Sequence, residues 1–316
     1  MTKLIRGLHN IASQHQGGVV TIGNFDGVHL GHQRLLAHLV SKAKVYGMSS
    51  TVMTFDPQPL EFFNRSQVTV PRLTNLREKF YHLADCGVDQ VLVLSFDESL
   101  AALTAHDFVQ KILYERLQAK HVLVGEDFRF GSQRLGDCSL LQKLGRECHF
   151  TCEMMPMQQI DNERVSSTRL RQALAKFDSA QVKKLLGHAY SMMGRVMYGA
   201  QRGRQWGFPT ANIYLQRLLT PVQGVYVVRV HGVANQAWPG VANVGVRPTV
   251  DGTRCLLEVH LLDFDRDIYR QYVEVEFCGK LRDEKRFADI GLLREQIAED
   301  VRQAREYFDS GNKNER

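Results

Sequence analysis

The sequence lacks the patterns that mark a membrane span, a secreted disulfide framework or a zinc site. No apolar run approaches the length needed to cross a bilayer, and no apolar signal segment follows the first residues. The six cysteines form no C-x-x-C pair, and Cys148 and Cys152 have no second pair of cysteines or histidines to complete a zinc site. We therefore expect reduced thiols and a cytoplasmic protein without a membrane partner.

Blocks of like charge, internal repeats and low-complexity segments are also missing. The net charge of +6 arises from 40 basic and 34 acidic residues that are scattered along the chain. Proteins that bind nucleic acid usually gather their positive charge in a stripe or tail, so we expect no nucleic-acid partner. With 316 residues, 44% hydrophobic and 23% charged, the composition suits a globular protein of two domains, and we expect a monomer or a weak homo-oligomer.

Up to about residue 186 the chain alternates apolar strands with helical segments. The predicted strands are Val19–Ile22, Ser50–Phe55, Gln90–Ser95 and His121–Gly125. The predicted helices are Gln33–Tyr46, Asn75–Asp85 and Ala105–Leu117, the last with a capping box of Thr104 and Asp107. This alternation predicts an α/β domain with a parallel sheet, over residues 1–186, whose ligands bind at the carboxyl ends of the strands.

From residue 187 to residue 316 the pattern changes to short alternating strands separated by glycine or proline. The predicted strands are Met192–Tyr198, Gly224–Val230, Trp238–Val244, Leu256–Asp263 and Tyr272–Phe277. They indicate a second domain built as a small antiparallel β-barrel or sandwich. A last helix, Ile290–Phe308, carries one apolar stripe and is expected to pack against that domain.

The strongest functional signal is the segment from Gly23 to His32, which follows the first predicted strand. It has the sequence G-N-F-D-G-V-H-L-G-H and leads into a helix. Backbone N–H groups in such a turn can bind a phosphate, and the positive end of the helix favours an anion. His29 and His32 are spaced so that both can reach the same anion. The residues predicted to surround it are Gly23, Asn24, Phe25, Asp26 and Gly31.

Three further polar clusters lie in the first part of the chain. Asp56 stands in a proline-rich loop after the second strand, and Asp127 and Arg129 stand in a polar and aromatic loop after the fourth. A surface ion pair between Asp127 and Arg129 is the alternative to a binding role. In the last cluster, hydroxyls beside a guanidinium can hold a chain of phosphates through several hydrogen bonds. Its residues are Ser167, Thr168 and Arg169.

The second part of the chain carries a glycine-rich segment and a carboxylate within an apolar strand. Gly203 and Arg204 precede the sequence G-F-P-T-A-N, in which Thr210 and Asn212 are oxygen donors suited to a magnesium ion shared with phosphates. If the side chain of Glu258 faces the interior, burial would raise its pKa and suit it to act as a base. An isolated glutamate in a strand more often faces solvent, and that interpretation stays open.

These motifs resemble two known families in tandem. The histidine segment, with S-S-T-R-L-R at the far end of the first domain, resembles the H-x-G-H nucleotidyltransferases, and among them the adenylyltransferase half of the bifunctional prokaryotic FAD synthetases. The G-F-P-T-A-N segment is similar to that of the riboflavin kinase domain. The resemblance covers roughly residues 15–310 and implies a Rossmann-like domain, then a small antiparallel barrel with a C-terminal helix.

The resemblance also implies roles for the candidate residues. His29 and His32 would contact the ATP phosphates, with the Ser167–Arg169 cluster on their other side. Asp56, Asp127 and Arg129 would contact nucleotide or flavin. In the barrel, Thr210 and Asn212 would bind Mg-ATP, Glu258 would be the base for the ribityl hydroxyl, and Arg294 would line the flavin pocket.

The function that the resemblance implies is synthesis of FMN and FAD by one chain. Riboflavin and ATP would give FMN, and FMN and a second ATP would then give FAD and pyrophosphate, with Mg²⁺ as cofactor. Two alternatives remain. An adenylyltransferase could use a nicotinate or pantetheine phosphate, although the intact G-F-P-T-A-N segment argues against it. A flavin-dependent nucleic-acid or regulatory binding protein is the other, although no aromatic RNA-stacking signature supports it.

Overall fold

The chain forms two compact units in a computed structural model. The structure describes residues 1–64, 70–199, 203, 206–249 and 252–314, without the side chains of 246–249, 252–254 and 311–314. The first unit comprises Met1–Thr69 and Leu76–Ser167, and the second comprises Val70–Asn75 and Thr168–Arg316. Six residues from the first quarter of the chain therefore belong to the second unit. The domain boundary predicted after residue 186 stays a prediction.

The first unit is built on a six-stranded parallel sheet. Its strands are β1 (Lys3–Arg6), β2 (Val19–Ile22), β3 (Ser50–Phe55), β4 (Gln90–Leu94), β5 (His121–Gly125) and β6 (Thr151–Met155). They lie in the order β1-β4-β3-β2-β5-β6, and each pairing is parallel. The parallel sheet predicted from the alternating pattern is confirmed.

The order of the strands places a crevice at β2. The strands that follow β2 in the chain pair on its two sides, β3 on one and β5 on the other. In open sheets of this kind ligands bind where the strand order reverses, beyond the carboxyl ends of the strands. Separate apolar clusters, one containing Val20 and Ile22 and the other Val19 and Phe25, cover β2 and leave its carboxyl end to the loop that follows.

Helices connect these strands, and they include short ones that were not predicted. The helices are α1 (Leu30–Tyr46), α2 (Pro59–Phe63), α3 (Leu76–Asp85), α4 (Glu98–Ala101), α5 (Ala105–Asp107) and α6 (Cys138–Glu147), with a π-helix at Phe108–Arg116. The first begins three residues earlier than predicted because the ring of His29 caps it. The helix expected over 105–117 is α-helical for three residues only. Its N-cap is confirmed, since the Thr104 hydroxyl accepts the Asp107 N–H at 3.0 Å and donates to the Asp107 carboxylate at 2.8 Å.

A short hairpin and two helices lie between the sheet and the barrel in sequence. They are β7 (Gln159–Ile160), β8 (Glu163–Arg164), α7 (Ser167–Lys176) and α8 (Ser179–Leu186). Each strand of the hairpin has only two residues, and α7 contains the point at which the two compact units divide. None of the helices in the described part of the chain is long and apolar enough to span a membrane.

The second unit is a closed antiparallel barrel with a long terminal helix. The elements are β9 (Ser191–Met197), β10 (Ala211–Tyr214), β11 (Gly224–His231), β12 (Trp238–Thr249), β13 (Gly252–Leu261), β14 (Tyr272–Arg282) and α9 (Ile290–Asn314). The strands close in the order β10-β13-β12-β11-β14-β9. The barrel alternative of the prediction is therefore the one found. β10, which was not predicted, closes the barrel between β9 and β13.

The terminal helix α9 is fixed to the barrel by apolar packing and by a buried ion pair. Ala304 is completely buried against Val225 and Val227. The guanidinium of Arg282 on β14 contacts both carboxylate oxygens of Asp300 on α9, at 2.9 Å and 2.7 Å. This two-point contact holds the helix in one register against the barrel. In that register the predicted apolar stripe of the helix packs on the barrel.

Candidate functional site

The two histidines of the glycine-rich segment lie against each other at the start of α1. Their rings stack with centroids 3.7 Å apart and an angle of 11° between the planes. His29 is the N-cap residue, and its Nδ1 accepts the backbone N–H of His32 at 3.3 Å. The sequence prediction had both histidines on one helical face. The structure instead places one at the cap and one in the first turn, so both rings lie at the positive end of the helix.

The loop between β2 and α1 has a tightly folded backbone. Phe25, Gly27 and Val28 all have positive φ angles, of 47°, 81° and 38°. Two of these residues are not glycine, and non-glycine residues adopt this conformation mostly where the surroundings force it. The ring of Phe25 is 2% exposed and anchors the loop in the core. The arrangement suits the binding of a phosphate.

His32 combines an unsatisfied nitrogen with a low pKa. Its Nδ1 is buried and has no hydrogen-bond partner among the described residues. Burial lowers the pKa of His32 well below its ordinary value, and His29, Lys79 and Arg164 lower it further by charge repulsion. The ring is therefore neutral near pH 7, and its Nδ1 is available to bind a ligand. The sequence reasoning did not identify Lys79 or Arg164.

The distal hydroxyl cluster begins at the loop. The Ser167 hydroxyl donates to the carbonyl oxygen of Asp26 at 2.9 Å. This contact brings the first residue of α7 to the loop of residues 23–29 between β2 and α1, called the histidine loop below. Thr168 and Arg169 follow in α7 but belong to the second compact unit. Of the predicted triphosphate cluster, the structure of the first unit thus contains Ser167.

The predicted flavin contacts of the first domain occupy two loops at the carboxyl ends of strands. Asp56 follows β3 and precedes a cis peptide bond to Pro57. Asp127 forms an ion pair with Arg164 of β8 rather than with Arg129, whose guanidinium donates to the Phe128 carbonyl at 2.9 Å. The alternative of an Asp127–Arg129 surface pair is therefore wrong.

Aromatic rings surround the same end of the sheet, and Phe62, Phe63 and Phe96 among them were not identified from the sequence. Phe62 packs edge-to-face against Phe96, with centroids 5.4 Å apart, and Phe63 packs against Phe96 at 5.8 Å. Phe63 remains 65% exposed. Phe128 stacks on Phe130 at 5.4 Å in the polar loop after β5. A signal for these rings was present, because each follows a strand whose carboxyl end faces the crevice.

In the second unit, three polar side chains share one face of the barrel. Asn212 on β10 and Asn243 on β12 both stand opposite Glu258 on β13. Leu257 and Val259 are 0% and 1% exposed and fill the interior, so Glu258 points to the outer face and is half-buried. The interior orientation considered for Glu258 is therefore wrong. The amide of Asn243 donates to Glu284 at 3.2 Å, while its Oδ1 is buried with no partner among the described residues.

The glycines before G-F-P-T-A-N leave room for the predicted magnesium ligands. A Cβ added to Gly199 would lie 2.3 Å from Nδ2 of Asn212, and one added to Gly203 would lie 3.3 Å from Oγ1 of Thr210. The missing side chain of Gly199 lets Asn212 lie against the backbone, and the Cβ position of Gly203 is closest to the Phe208 carbonyl, at 2.3 Å. Within the described residues, no group of three or more histidine, cysteine, aspartate or glutamate side chains could hold a metal. Thr210 and Asn212 fit a magnesium ion that takes most of its ligands from phosphates and water.

Two further predicted residues belong to the second part of the chain. Arg204 lies outside the described residues. Arg294 is exposed in the first turns of α9.

The fold and the two polar sites define a two-domain transferase that uses nucleotides. A family model for FAD synthetase matches residues 11–169, and one for riboflavin kinase matches residues 186–308. The chain is 48% identical over 307 residues to the bifunctional riboflavin kinase/FMN adenylyltransferase of Escherichia coli K12, covering 97% of this chain and 98% of that protein. It is 44% identical to the protein of the same name from Haemophilus influenzae, covering 98% and 100%.

A solved structure resembles the chain over the same extent. It is a crystal structure described as a macrolide-efflux protein from Streptococcus pneumoniae, with a TM-score of 0.76 and 30% identity, covering 96% of this chain and 98% of that one. The matched domains and the nearly full-length identity show the family. The chain belongs to the bifunctional riboflavin kinase/FMN adenylyltransferases.

Proposed function

We propose that the chain phosphorylates riboflavin with ATP to give FMN and ADP, and then adenylylates FMN with a second ATP to give FAD and pyrophosphate. The observation that carries the proposal is the presence, in one chain, of matches to both family models in this order. The site geometry supports it. The histidine loop lies at the switch point of the parallel sheet, and Asn212, Asn243 and Glu258 lie together on the outer face of the barrel.

In the adenylyl transfer, a phosphate oxygen of FMN attacks the α-phosphorus of ATP and pyrophosphate leaves in line. This chemistry needs no covalent enzyme intermediate, so the protein contributes positioning and charge. We assign His29 and His32 to the phosphates, where their rings donate hydrogen bonds to oxygens that gain charge. The backbone N–H groups of Asn24, Phe25 and Asp26 are assigned to the same phosphates. The N–H of Gly23 donates to the Met53 carbonyl and the hydroxyl of Ser167 to the Asp26 carbonyl, so these two residues are assigned to holding the loop in place. Thr168 and Arg169 are also assigned to the ATP phosphates.

In the phosphorylation of riboflavin, Glu258 is assigned as the base. It accepts the proton of the ribityl hydroxyl, whose oxygen attacks the γ-phosphorus of ATP. The bond between that phosphorus and the bridging oxygen of ADP breaks, and ADP leaves. Asn212 and Asn243, on either side of Glu258, orient the groups around it. Gly203 and Arg204 are assigned to the nucleotide and Arg294 to the flavin pocket. Magnesium held by Thr210 and Asn212 would offset the charge of the phosphate oxygens.

Binding of the flavin ring in the first unit is assigned to the loops at the carboxyl ends of β3 and β5. Asp56 and Arg129 supply polar groups there, and the exposed ring of Phe63 supplies an apolar face on which a flat ring can stack. Asp127, held by Arg164, fixes the loop of Arg129. The ligands of the chain would be riboflavin, FMN, ATP and FAD.

A time course of products tests the proposal directly. Purified protein is mixed with riboflavin, ATP and magnesium, and flavins are separated by chromatography. We expect FMN to rise first and then to fall as FAD and pyrophosphate accumulate, while protein without magnesium forms neither. Nicotinate mononucleotide and phosphopantetheine serve as competing acceptors. Faster adenylylation of either one than of FMN, or the absence of both flavin products, would refute the proposal.

A further inference from the structure

A buried lysine lies next to the histidine loop. Lys79 on α3 is 3% exposed, and its neighbour Glu78 is 1% exposed. A charged ammonium is rarely buried to this extent, because its removal from water is costly unless other groups stabilise it. The Nζ of Lys79 donates to the hydroxyl of Thr54 at 3.4 Å, and Thr54 is itself completely buried near the end of β3.

The Thr54 hydroxyl also forms a hydrogen bond with the histidine loop. It donates to the carbonyl oxygen of Asn24 at 3.2 Å. Asn24 belongs to the segment between β2 and α1, and β2 and β3 are neighbours in the sheet. A link of two hydrogen bonds therefore runs from the ammonium of Lys79 to the backbone of the loop. It fixes the direction of the Asn24 carbonyl and hence of the peptide N–H that follows it.

The charge of Lys79 also acts on the histidine pair. The groups that face His32 and lower its pKa by repulsion are His29 at the helix cap, Lys79 on α3 and Arg164 on β8. With the imidazole of His32 neutral, the positive charges that act on it are those of Lys79 and of Arg164, and the charge of Arg164 is partly balanced by its ion pair with Asp127. Such charge stabilises a phosphate group whose negative charge grows during a transfer, and it does so without rearrangement.

We propose that Lys79 is a positioning residue for adenylyl transfer. It orients the histidine loop through Thr54 and supplies a fixed positive charge near His32. The inference rests on the proposed function, since it concerns the FMN-adenylylating site. Lys79 acts through Thr54 and His32, and the proposal gives it no contact with the reacting atoms.

The variant Lys79→Met tests the charge in the full-length protein. It keeps the length of the side chain and removes the ammonium. We expect kcat/KM for FAD formation from supplied FMN to fall by about tenfold or more, as the loss of one electrostatic contact typically produces. Phosphorylation of riboflavin by the same preparation should be unchanged, which shows that the protein is intact. Lys44→Met, which removes an exposed lysine from α1, is the control and should leave both activities unchanged.

A second measurement distinguishes an electrostatic role of Lys79 from a merely structural one. The ring signals of His32, assigned by their loss in His32→Gln, are followed by NMR over a pH titration without ligand. Removing a nearby positive charge favours the protonated ring, so the pKa of His32 should rise in Lys79→Met and stay near the wild-type value in Lys79→Arg. An unchanged His32 pKa in Lys79→Met would overturn the proposal.

The hydroxyl link is tested by a matched pair that leaves the lysine in place. Thr54→Val removes the hydroxyl with little change in volume, whereas Thr54→Ser keeps it. We expect Thr54→Val to lose FAD formation by about tenfold or more, as with the charge, and Thr54→Ser to retain most of it. This pair also decides the matter if Lys79→Met does not fold. Equal FAD formation by wild type, Thr54→Val and Lys79→Met would refute the inference, whereas failure of the wild type to make FAD would refute the proposed function instead.

Discussion

Among single residues, His32 and Glu258 differ most clearly in their surroundings. The Nδ1 of His32 is buried, and the positive charges of Lys79 and Arg164 act on the ring. Glu258 lies half-buried on the outer face of a barrel between two asparagines. The histidine thus presents a buried nitrogen without a partner among the described residues, and the glutamate stands half-buried between two amide side chains. Their elements belong to different compact units, so each can be altered by itself.

Substitutions at these two residues should separate the two activities. We expect His32→Ala to reduce FAD formation from FMN by about a hundredfold, as the loss of a preorganised donor typically does, and to leave FMN formation intact. Glu258→Gln should reduce FMN formation and spare adenylylation of supplied FMN. Steady-state rates for each half-reaction check both. Loss of both activities in either variant would contradict separate sites.

At Gly199, adding a single Cβ atom would create a clash with a neighbouring side chain. A Cβ at this position would lie 2.3 Å from the Asn212 amide, which is buried and has little room to move. We therefore expect Gly199→Ala to displace Asn212 and to lower riboflavin phosphorylation by about tenfold or more, with FAD formation from FMN unchanged. Gly279→Ala on β14 is the matched control, because its Cβ would come no nearer than 3.5 Å to the Tyr307 ring. Similar kinetics for the two alanine variants would show that Asn212 does not need its present position.

In the first unit, the strands buried on both faces were predictable, and the polar outer strands were not. The bounds of β2, β3 and β5 match the prediction, since each is a short apolar run between turn residues. The outer strands β1 and β6 were missed because they contain lysine, arginine, threonine and glutamate. β10 was missed because its four residues follow directly on a functional turn. The π-helix at Phe108–Arg116 depends on hydrogen-bond spacing, which periodicity does not reveal.

The same distinction holds for the candidate site. The motif identified His29 and His32 because both follow a glycine turn in the local sequence. Lys79, Thr54 and Arg164 reach that place from other elements, and no local pattern marks a contact made across the fold.

The ion pair between β14 and α9 should contribute strongly to the stability of the second unit. Asp300 is 3% exposed, and removal of one partner from a buried pair leaves the other charge uncompensated. We expect Asp300→Ala to lower the free energy of unfolding of this unit by about 3 kcal/mol. Both tryptophans, Trp206 and Trp238, belong to the second unit, so urea unfolding followed by tryptophan fluorescence measures it selectively.

An exposed ion pair on the same helix provides the control for Asp300. Arg305 contacts Asp263 with side chains that are 48% and 71% exposed, and such pairs contribute little. Asp263→Ala should therefore leave the unfolding midpoint nearly unchanged. An equally small effect of Asp300→Ala would show that apolar packing alone fixes α9.

For the whole molecule, the important feature is that the chain crosses between its two compact units three times. Residues Val70–Asn75 belong to the second unit, where their carbonyls accept hydrogen bonds from buried side chains. Arg217 donates to the carbonyl of Arg72 at 3.1 Å and to that of Leu73 at 3.2 Å, and Tyr190 donates to Leu73 at 2.8 Å.

A fragment of residues 168–316 should therefore be less stable than the second unit within the full chain. Removing the six residues leaves buried donors unpaired, at about 1–3 kcal/mol for each group. Urea unfolding followed by tryptophan fluorescence measures the difference. Tyr190→Phe provides a check, because it should destabilise the full chain but have little effect on the fragment. Equal stability of fragment and full chain would show that Val70–Asn75 is dispensable.

The position of Val70–Asn75 also limits how this family can exchange parts by recombination. A single crossover near residue 167 between two relatives would unite the barrel of one parent with the hexapeptide of the other. Because Arg217 and Tyr190 contact the backbone of that hexapeptide, its path, more than its side chains, must suit the new barrel. A chimera that carries residues 70–75 from the same parent as the barrel should thus express and fold better than one made with a single junction.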